Sequence, residues 1–226
     1  SRRYDLANHL LSCGVHVLWK RAAVAAAALP PGGVGLDVCS GTGDLLVRMA
    51  RVVGSTGRAI GVDFAPGMLE VAARRAAGER RSRVALICAD AEALPVAGAT
   101  CDALTISFGL RNVAQPQRAL AEFHRVLRPG GRLVILEFSR PRCGAVRALY
   151  DLYMRTIIRH LGGWLSGRRD AYGYLRDSIQ TWPGPDELAG LIRQAGFEDV
   201  RYRAYSAGIA VLHVAARPMA SAGGLQ

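Results

Sequence analysis

The chain has 226 residues, half of them hydrophobic, enough to bury one sizeable core, so a single domain is expected. Lys and Arg number 29 against 18 Asp and Glu, a net charge of +11 that attracts nucleic acid, anionic membrane surfaces or acidic partners without choosing among them. No apolar run is long enough for a membrane-spanning helix, and the opening Ser-Arg-Arg-Tyr-Asp is not followed by the apolar stretch of a signal peptide.

The first thirty or so residues read as a helical preface, polar at Asp5, Asn8 and His9 and apolar over 15–18. From residue 34 onward short apolar strands alternate with helical segments, which predicts a parallel sheet covered on both faces. Strand 34–39 leads to helix 44–53, and strand 59–63 to helix 66–77, where Pro66 suits the first turn. Strands 84–88 and 103–108 follow. Helix 117–127 is expected to stop at Pro129-Gly130-Gly131, before strand 132–138. The alternation then breaks for two inserted helices, 146–161 and 172–179. Helix 188–195, ended by Gly196, and strands 200–205 and 209–215 close the sheet. Cys13, Cys39, Cys88, Cys101 and Cys143 show no C-x-x-C spacing and read as small buried hydrophobes in a reducing cytoplasm. The histidines show no ligand spacing, so no metal is expected.

The strongest chemical signal is Asp37-Val-Cys-Ser-Gly41-Thr42-Gly43-Asp44, between the first strand and the first helix of the alternation. In an open parallel sheet, ligands bind at the carboxyl ends of the strands, where this loop lies. Gly41 and Gly43 let the backbone turn tightly and approach a ligand. A dinucleotide would need a third glycine, but Leu46 stands there, and Asp44 at the helix start would repel a pyrophosphate. S-adenosylmethionine carries no phosphate and has a positive sulfonium and ammonium, so it suits the loop better. Asp63, about twenty residues on, has the spacing of a ribose-binding acid. Asp90-Ala91, past the third strand, places an acid where it can accept from an adenine amino group. Taken singly, the glycines read equally well as a turn and each acid as a helix cap. Three such pieces at successive strand ends favour the cofactor.

These residues and others along nearly the whole chain resemble the ubiquinone/menaquinone biosynthesis C-methyltransferases. The likeness runs through Tyr4-Asp5-x-x-Asn8, Trp19-Lys20-Arg21, Ser40-Gly-Thr-Gly-Asp44, Ala91-Glu-Ala-Leu-Pro95 and Ile106-Ser-Phe-Gly-Leu-Arg-Asn112. It continues through Arg125-Val-Leu-Arg-Pro-Gly-Gly131, Leu136-Glu-Phe-Ser139, Tyr172-x-Tyr-Leu-x-x-Ser-Ile179 and Ala195-Gly-Phe197. The resemblance implies an α/β, Rossmann-like class I methyltransferase whose seven-stranded, mostly parallel sheet ends in an antiparallel strand. It implies that Thr42, Asp63, Asp90, Ala91 and Ser107 contact S-adenosylmethionine, which leaves as S-adenosylhomocysteine. It also implies a polyprenylated benzoquinol or naphthoquinol as substrate. Cys39-Ser40 departs from the small-residue pair that the family frequently carries at that point.

Methylating an aromatic carbon requires an adjacent phenolate, aligned with the methyl group, and an acceptor for the ring proton. The resemblance makes Arg111 and Asn112 the catalytic candidates. A guanidinium is always protonated, so Arg111 is expected to stabilise the phenolate and order a water, with Asn112 fixing its orientation. The alternative makes Arg111 a surface ion-pair partner. Tyr4 and Asn8 either line and lid the site or lie on an outer helix face. Tyr153 belongs to a stripe with Val146, Leu149, Tyr150, Ile157 and Leu161 that reads as core, as a wall for the prenyl tail, or as a docking face on an anionic membrane. Competing functions are methylation of another small molecule, RNA methylation and a non-catalytic cofactor-binding subunit. Ser107-Phe108-Gly109-Leu110 lacks the Asn/Asp-Pro-Pro-aromatic run of base N-methylating enzymes, and no nucleic-acid module is visible, so no nucleic-acid partner is expected. A homodimer stays open.

Overall fold

The computed structural model describes residues 15–78, 83–141 and 181–220, together with 144, 148, 152, 178 and 179. Helix α1 (His16–Ala27) precedes strand β1 (Val34–Val38), helix α2 (Asp44–Val53), strand β2 (Arg58–Asp63), helix α3 (Pro66–Ala76) and strand β3 (Arg83–Cys88). Strand β4 (Cys101–Ser107), a 3-10 turn (Leu110–Asn112), helix α4 (Pro116–Val126) and strand β5 (Leu127–Phe138) follow. Helix α5 (Pro185–Gln194), strand β6 (Glu198–Tyr205), a second 3-10 turn (Ser206–Gly208) and strand β7 (Ala210–Ala216) complete the order.

The seven strands form one sheet in the order β3-β2-β1-β4-β5-β7-β6. The first five run parallel, and β7 pairs antiparallel with both β5 and β6. The chain winds outward from β1 in one direction and from β4 in the other. Their carboxyl ends therefore diverge around a crevice, the place where such sheets bind ligands.

Period-two alternation along the strands builds a core on each face. Leu104, Ile106, Leu133 and Ile135 join Leu120 and Phe123 of α4 and Leu188 and Ile192 of α5 on one side. Ala103, Val134, Leu136 and Phe138 face Trp19, Ala23 and Val24 of α1 and Leu45 and Met49 of α2 on the other. Proline occupies the first turn of α3, α4 and α5, where a missing N–H costs nothing and its fixed φ suits the helix.

Most predicted elements are observed within a residue or two. The largest difference is at Arg128-Pro129-Gly130-Gly131, expected as a helix stop before the strand and found inside β5. Leu127 already pairs with Cys101, and the register then shifts before Ala103 meets Arg132. Residues 128–131 bulge out of the ladder, with Gly130 at φ +74°, and Arg217 ties the bulge down. The Gly130 amide donates to Arg217 O at 2.9 Å, and the Arg217 amide donates to Gly131 O at 2.8 Å. The Arg217 guanidinium also donates to the Leu127 and Arg125 carbonyls. Of the helical preface, residues 15 onward are described and form α1, packed in the core, while residues 1–14 lie outside the described residues. The inserted helices 146–161 and 172–179 lie almost wholly outside the described residues. No helix among the described residues is long and apolar enough to cross a membrane.

Candidate cofactor and active site

A cavity of about 460 Å³ opens at the carboxyl ends of β1, β2, β3 and β4. Its wall includes Asp37, Gly41, Thr42, Asp63, Asp90, Ala91, Ser107 and Asn112, which brings together residues predicted from four separate stretches of sequence.

The glycine loop is held from beneath. Gly43, at φ +78°, hands the chain into α2 in a left-handed conformation. A Cβ there would lie 2.9 Å from the Ala72 Cβ, so glycine also permits α2 and α3 to pack closely. Asp63 ties the loop to the next strand, its Oδ2 accepting from the Gly41 amide at 2.8 Å and its Oδ1 from the Ala65 amide at 2.9 Å. A carboxylate has about four lone-pair sites, so roughly two stay available on the cavity side for a pair of hydroxyls. Asp90 Oδ1 accepts from the Glu92 amide at 2.9 Å, which fixes the turn carrying Ala91. Thr42 is buried, and its Oγ1 accepts from an Arg75 N–H of α3 at 3.1 Å.

Asp37 is 2 % exposed. Thr105 Oγ1 donates to its Oδ1 at 2.7 Å. Burial pushes its carboxyl up to about 7; the Thr105 bond and Lys20 pull it down, while Asp44 and Asp63 add to the rise. Asp44 goes the other way. Burial would raise its carboxyl, but Lys20 at 3.0 Å and Arg48 at 3.2 Å outweigh that and hold it low. Cys39 sits at φ +52°, a backbone region that small residues occupy more cheaply. Burial, followed by the surrounding carboxylates, pushes its thiol up to about 12, so it is a neutral packing group.

Past β4, Phe108 adopts φ +57°, uncommon for a bulky side chain. Three contacts hold it there. Its amide donates to Leu136 O at 2.8 Å, its ring stacks on Phe138 with centroids 4.4 Å apart, and its carbonyl accepts from Arg111 Nη1 at 2.7 Å. Arg111 also donates from Nη1 to Glu137 Oε2 at 2.8 Å, with side chains only 6 % and 2 % exposed. Its guanidinium therefore lies behind the cavity wall in a buried ion pair. Arg111 is thus a buried ion-pair partner rather than a surface one, and it is not among the residues that line the cavity. Asn112, on the same 3-10 turn, does reach the wall. Gly109 permits the turn to lie against the glycine loop, because a Cβ there would come within 2.4 Å of the Cys39 Cβ.

The family model described as the ubiE/COQ5 methyltransferase family matches residues 1–217. The chain belongs to that family. It is 45% identical over 217 residues to a demethylmenaquinone methyltransferase of Thermus thermophilus, covering 96% of this chain and 97% of that protein. A demethylmenaquinone methyltransferase of Clavibacter sepedonicus is 44% identical over 218 residues, 96% of this chain and 87% of its own. A ubiquinone/menaquinone biosynthesis C-methyltransferase of a Marinomonas species is 40% identical over 212 residues, 93% of this chain and 84% of its own. Among solved structures, a methyltransferase of Thermotoga maritima superposes with a TM-score of 0.64 at 21% identity, over 95% of both chains. A phosphoethanolamine N-methyltransferase of Haemonchus contortus gives 0.67 at 15% identity, over 89% of this chain and 52% of that one. These two likenesses establish the fold, a class I methyltransferase sheet.

Membership in the ubiE/COQ5 methyltransferase family bears out the reading of the chain as an S-adenosylmethionine-dependent C-methyltransferase of quinone biosynthesis. The cavity fits such a cofactor. Ser107 Oγ is buried without a hydrogen-bond partner among the described residues, and an acid stands at the carboxyl end of each of β1, β2 and β3. Tyr4, Asn8 and Tyr153, the expected substrate contacts, lie outside the described residues. Sequence reasoning missed Thr105, Lys20 and Glu137. Glu137 carried a usable signal, since a carboxylate inside the apolar run Leu133–Phe138 demands a buried partner. Thr105 and Lys20 pair with Asp37 and Asp44 from segments 68 and 24 positions away, so no local spacing reported those pairings.

Proposed function

We propose that this methyltransferase transfers the methyl group of S-adenosylmethionine to a ring carbon of a polyprenylated demethylnaphthoquinol, the substrate of menaquinone formation. The observation that carries the methyl-transfer part is the acid series Asp37, Asp63 and Asp90 on one cavity wall. It offers acceptors for an ammonium, a ribose and an adenine, and opposes any phosphate-bearing cofactor. The naphthoquinol part is supported by the relatives from Thermus thermophilus and Clavibacter sepedonicus, both named for demethylmenaquinone.

The bound cofactor supplies an electrophilic methyl group. The new C–C bond would form at the expense of the methyl–sulfur bond, and the ring proton would then pass to water as aromaticity returns. This chain's residues position the partners rather than react covalently. Asn112 hydrogen-bonds the ring oxygen, and the Arg111–Glu137 pair fixes the turn that presents it. Phe108 on the cavity wall, backed by the stacked Phe138 ring, keeps water from that side.

The test is transfer of labelled methyl from S-adenosylmethionine to a reduced short-chain demethylmenaquinol and, separately, to the matching demethylated benzoquinol. Label in the naphthoquinol is expected. Label only in the benzoquinol would overturn the ring assignment, and label in neither, with cofactor still bound, would overturn the quinol reading.

A further inference from the structure

The order of strands fixes how a ligand lies across the cavity. Asp90 and Asp63 follow β3 and β2, whereas Asp37 and Ser107 lie at the ends of β1 and β4, the two strands that flank the crevice. An adenosine held by Asp90 and Asp63 must therefore direct its amino-acid end over β1 and β4. That end carries an ammonium and a carboxylate. Acids are plentiful there, and the described residues of the cavity wall contain one cation, Lys20.

Lys20 is the chain's single lysine among 29 basic residues. It comes from α1, outside the strand–helix alternation, and is held firmly. The preceding Trp19 is 2 % exposed and packs against both Phe108 and Phe138, with centroids 6.3 and 6.4 Å away. The lysine side chain is 15% exposed and meets Asp44 Oδ2 at 3.0 Å. Asp44 does not need that charge for itself, since Arg48 reaches its other oxygen at 3.2 Å. Lys20 therefore shares Asp44 with a second cation and is the cationic side chain among the described residues that faces the cavity. An ammonium also has three N–H donors, of which Asp44 takes one.

We propose that Lys20 binds the α-carboxylate of S-adenosylmethionine, with Asp37 receiving the ammonium beside it. This rests on the cofactor reading above and adds the residue that discriminates its amino-acid end. The helix α1 thus belongs to the cofactor site, and Asp44 serves to aim the lysine.

The test compares S-adenosylhomocysteine with its decarboxylated analogue, S-adenosyl-3-thiopropylamine, by titration calorimetry on the full chain and on the Lys20→Met and Lys20→Arg variants. A charge-assisted bond of this kind contributes roughly 10- to 100-fold in affinity. The unaltered chain should prefer S-adenosylhomocysteine by about that factor. Lys20→Met should lose the preference while keeping the analogue's affinity within about twofold, and Lys20→Arg should retain most of it. Lys20→Met weakening both ligands equally would make the residue a structural tie and overturn the proposal, as would an unaltered chain that binds the two ligands alike. Binding of neither ligand by the unaltered chain would instead overturn the cofactor reading, and this proposal with it.

Discussion

Asp37→Asn isolates the electrostatics of the cavity floor. In the folded protein burial holds the Asp37 carboxyl up at about 7, against about 3.9 in the unfolded chain. Below both values the carboxyl is protonated in either state and contributes no pH dependence. Between them the folded protein keeps the proton while the unfolded chain releases it, so stability falls with rising pH, by at most about 1.4 kcal/mol per pH unit. Above about 7 the loss is complete and amounts to roughly 4 kcal/mol. Asparagine cannot ionise, yet its oxygen can still accept the Thr105 hydroxyl that meets Asp37 at 2.7 Å. The unligated variant should therefore gain roughly 2–4 kcal/mol over the original protein at pH 8 and little at pH 4. Urea unfolding of both proteins at the two pH values measures this, and other titrating groups cancel in the difference. A difference that is the same at pH 4 and pH 8 would refute the buried-carboxyl reasoning. The ligand should reverse the balance. An ammonium on Asp37 requires the ionised carboxylate, so affinity for S-adenosylhomocysteine should rise with pH up to about 7 in the original protein and lose that dependence in the variant.

Gly109→Ala places a Cβ 2.4 Å from the Cys39 Cβ, and thermal unfolding together with cofactor titration should register about 1–3 kcal/mol of destabilisation and weaker binding. Glu137→Gln leaves Arg111 buried without its counter-charge. Urea unfolding should show a loss of about 3–5 kcal/mol, and a double variant with Arg111→Met should recover much of it. Independent, additive losses in that pair would mean that the two residues are not coupled.

The sheet was legible because its strands obey a strict contrast between buried apolar runs and polar turns. Strand-helix boundaries such as Asp44 and Pro66 carried their own local signals and were placed correctly. Arg128-Pro-Gly-Gly misled because it is a bulge carried within the strand and tied down by Arg217, almost ninety residues away, and no local propensity reports such a partner. The lining of the cavity was readable for a related reason. Glycines and acids at successive strand ends are local signatures, and the topology gathers them without help from long-range side chains. The roles of Arg111 and Lys20 were not readable. Each depends on a long-range ion pair, Arg111 with Glu137 in the interior and Lys20 with Asp44 half-buried, whose partners lie 26 and 24 positions apart. In sequence a charged residue next to an active-site motif looks catalytic whether it faces the cavity or its wall.

The electrostatics of the cavity run against those of the chain as a whole. A protein of net charge +11 lines its cavity with Asp37, Asp44, Asp63, Asp90 and Glu92 against Lys20. With Asp37 near half protonation at neutral pH, that wall stays negative. It favours a ligand of net positive charge, as S-adenosylmethionine is with its sulfonium, over the neutral zwitterion S-adenosylhomocysteine, and so aids exchange of product for cofactor. It also penalises a phenolate entering alone. Arg111 does not offset that penalty, because Glu137 already neutralises it behind the wall. On the quinol reading proposed above, the positive charge that offsets the quinol's ionisation comes with the cofactor's sulfonium. Product-inhibition kinetics with S-adenosylhomocysteine are therefore expected to show cofactor binding before quinol, and quinol binding first would refute this electrostatic argument.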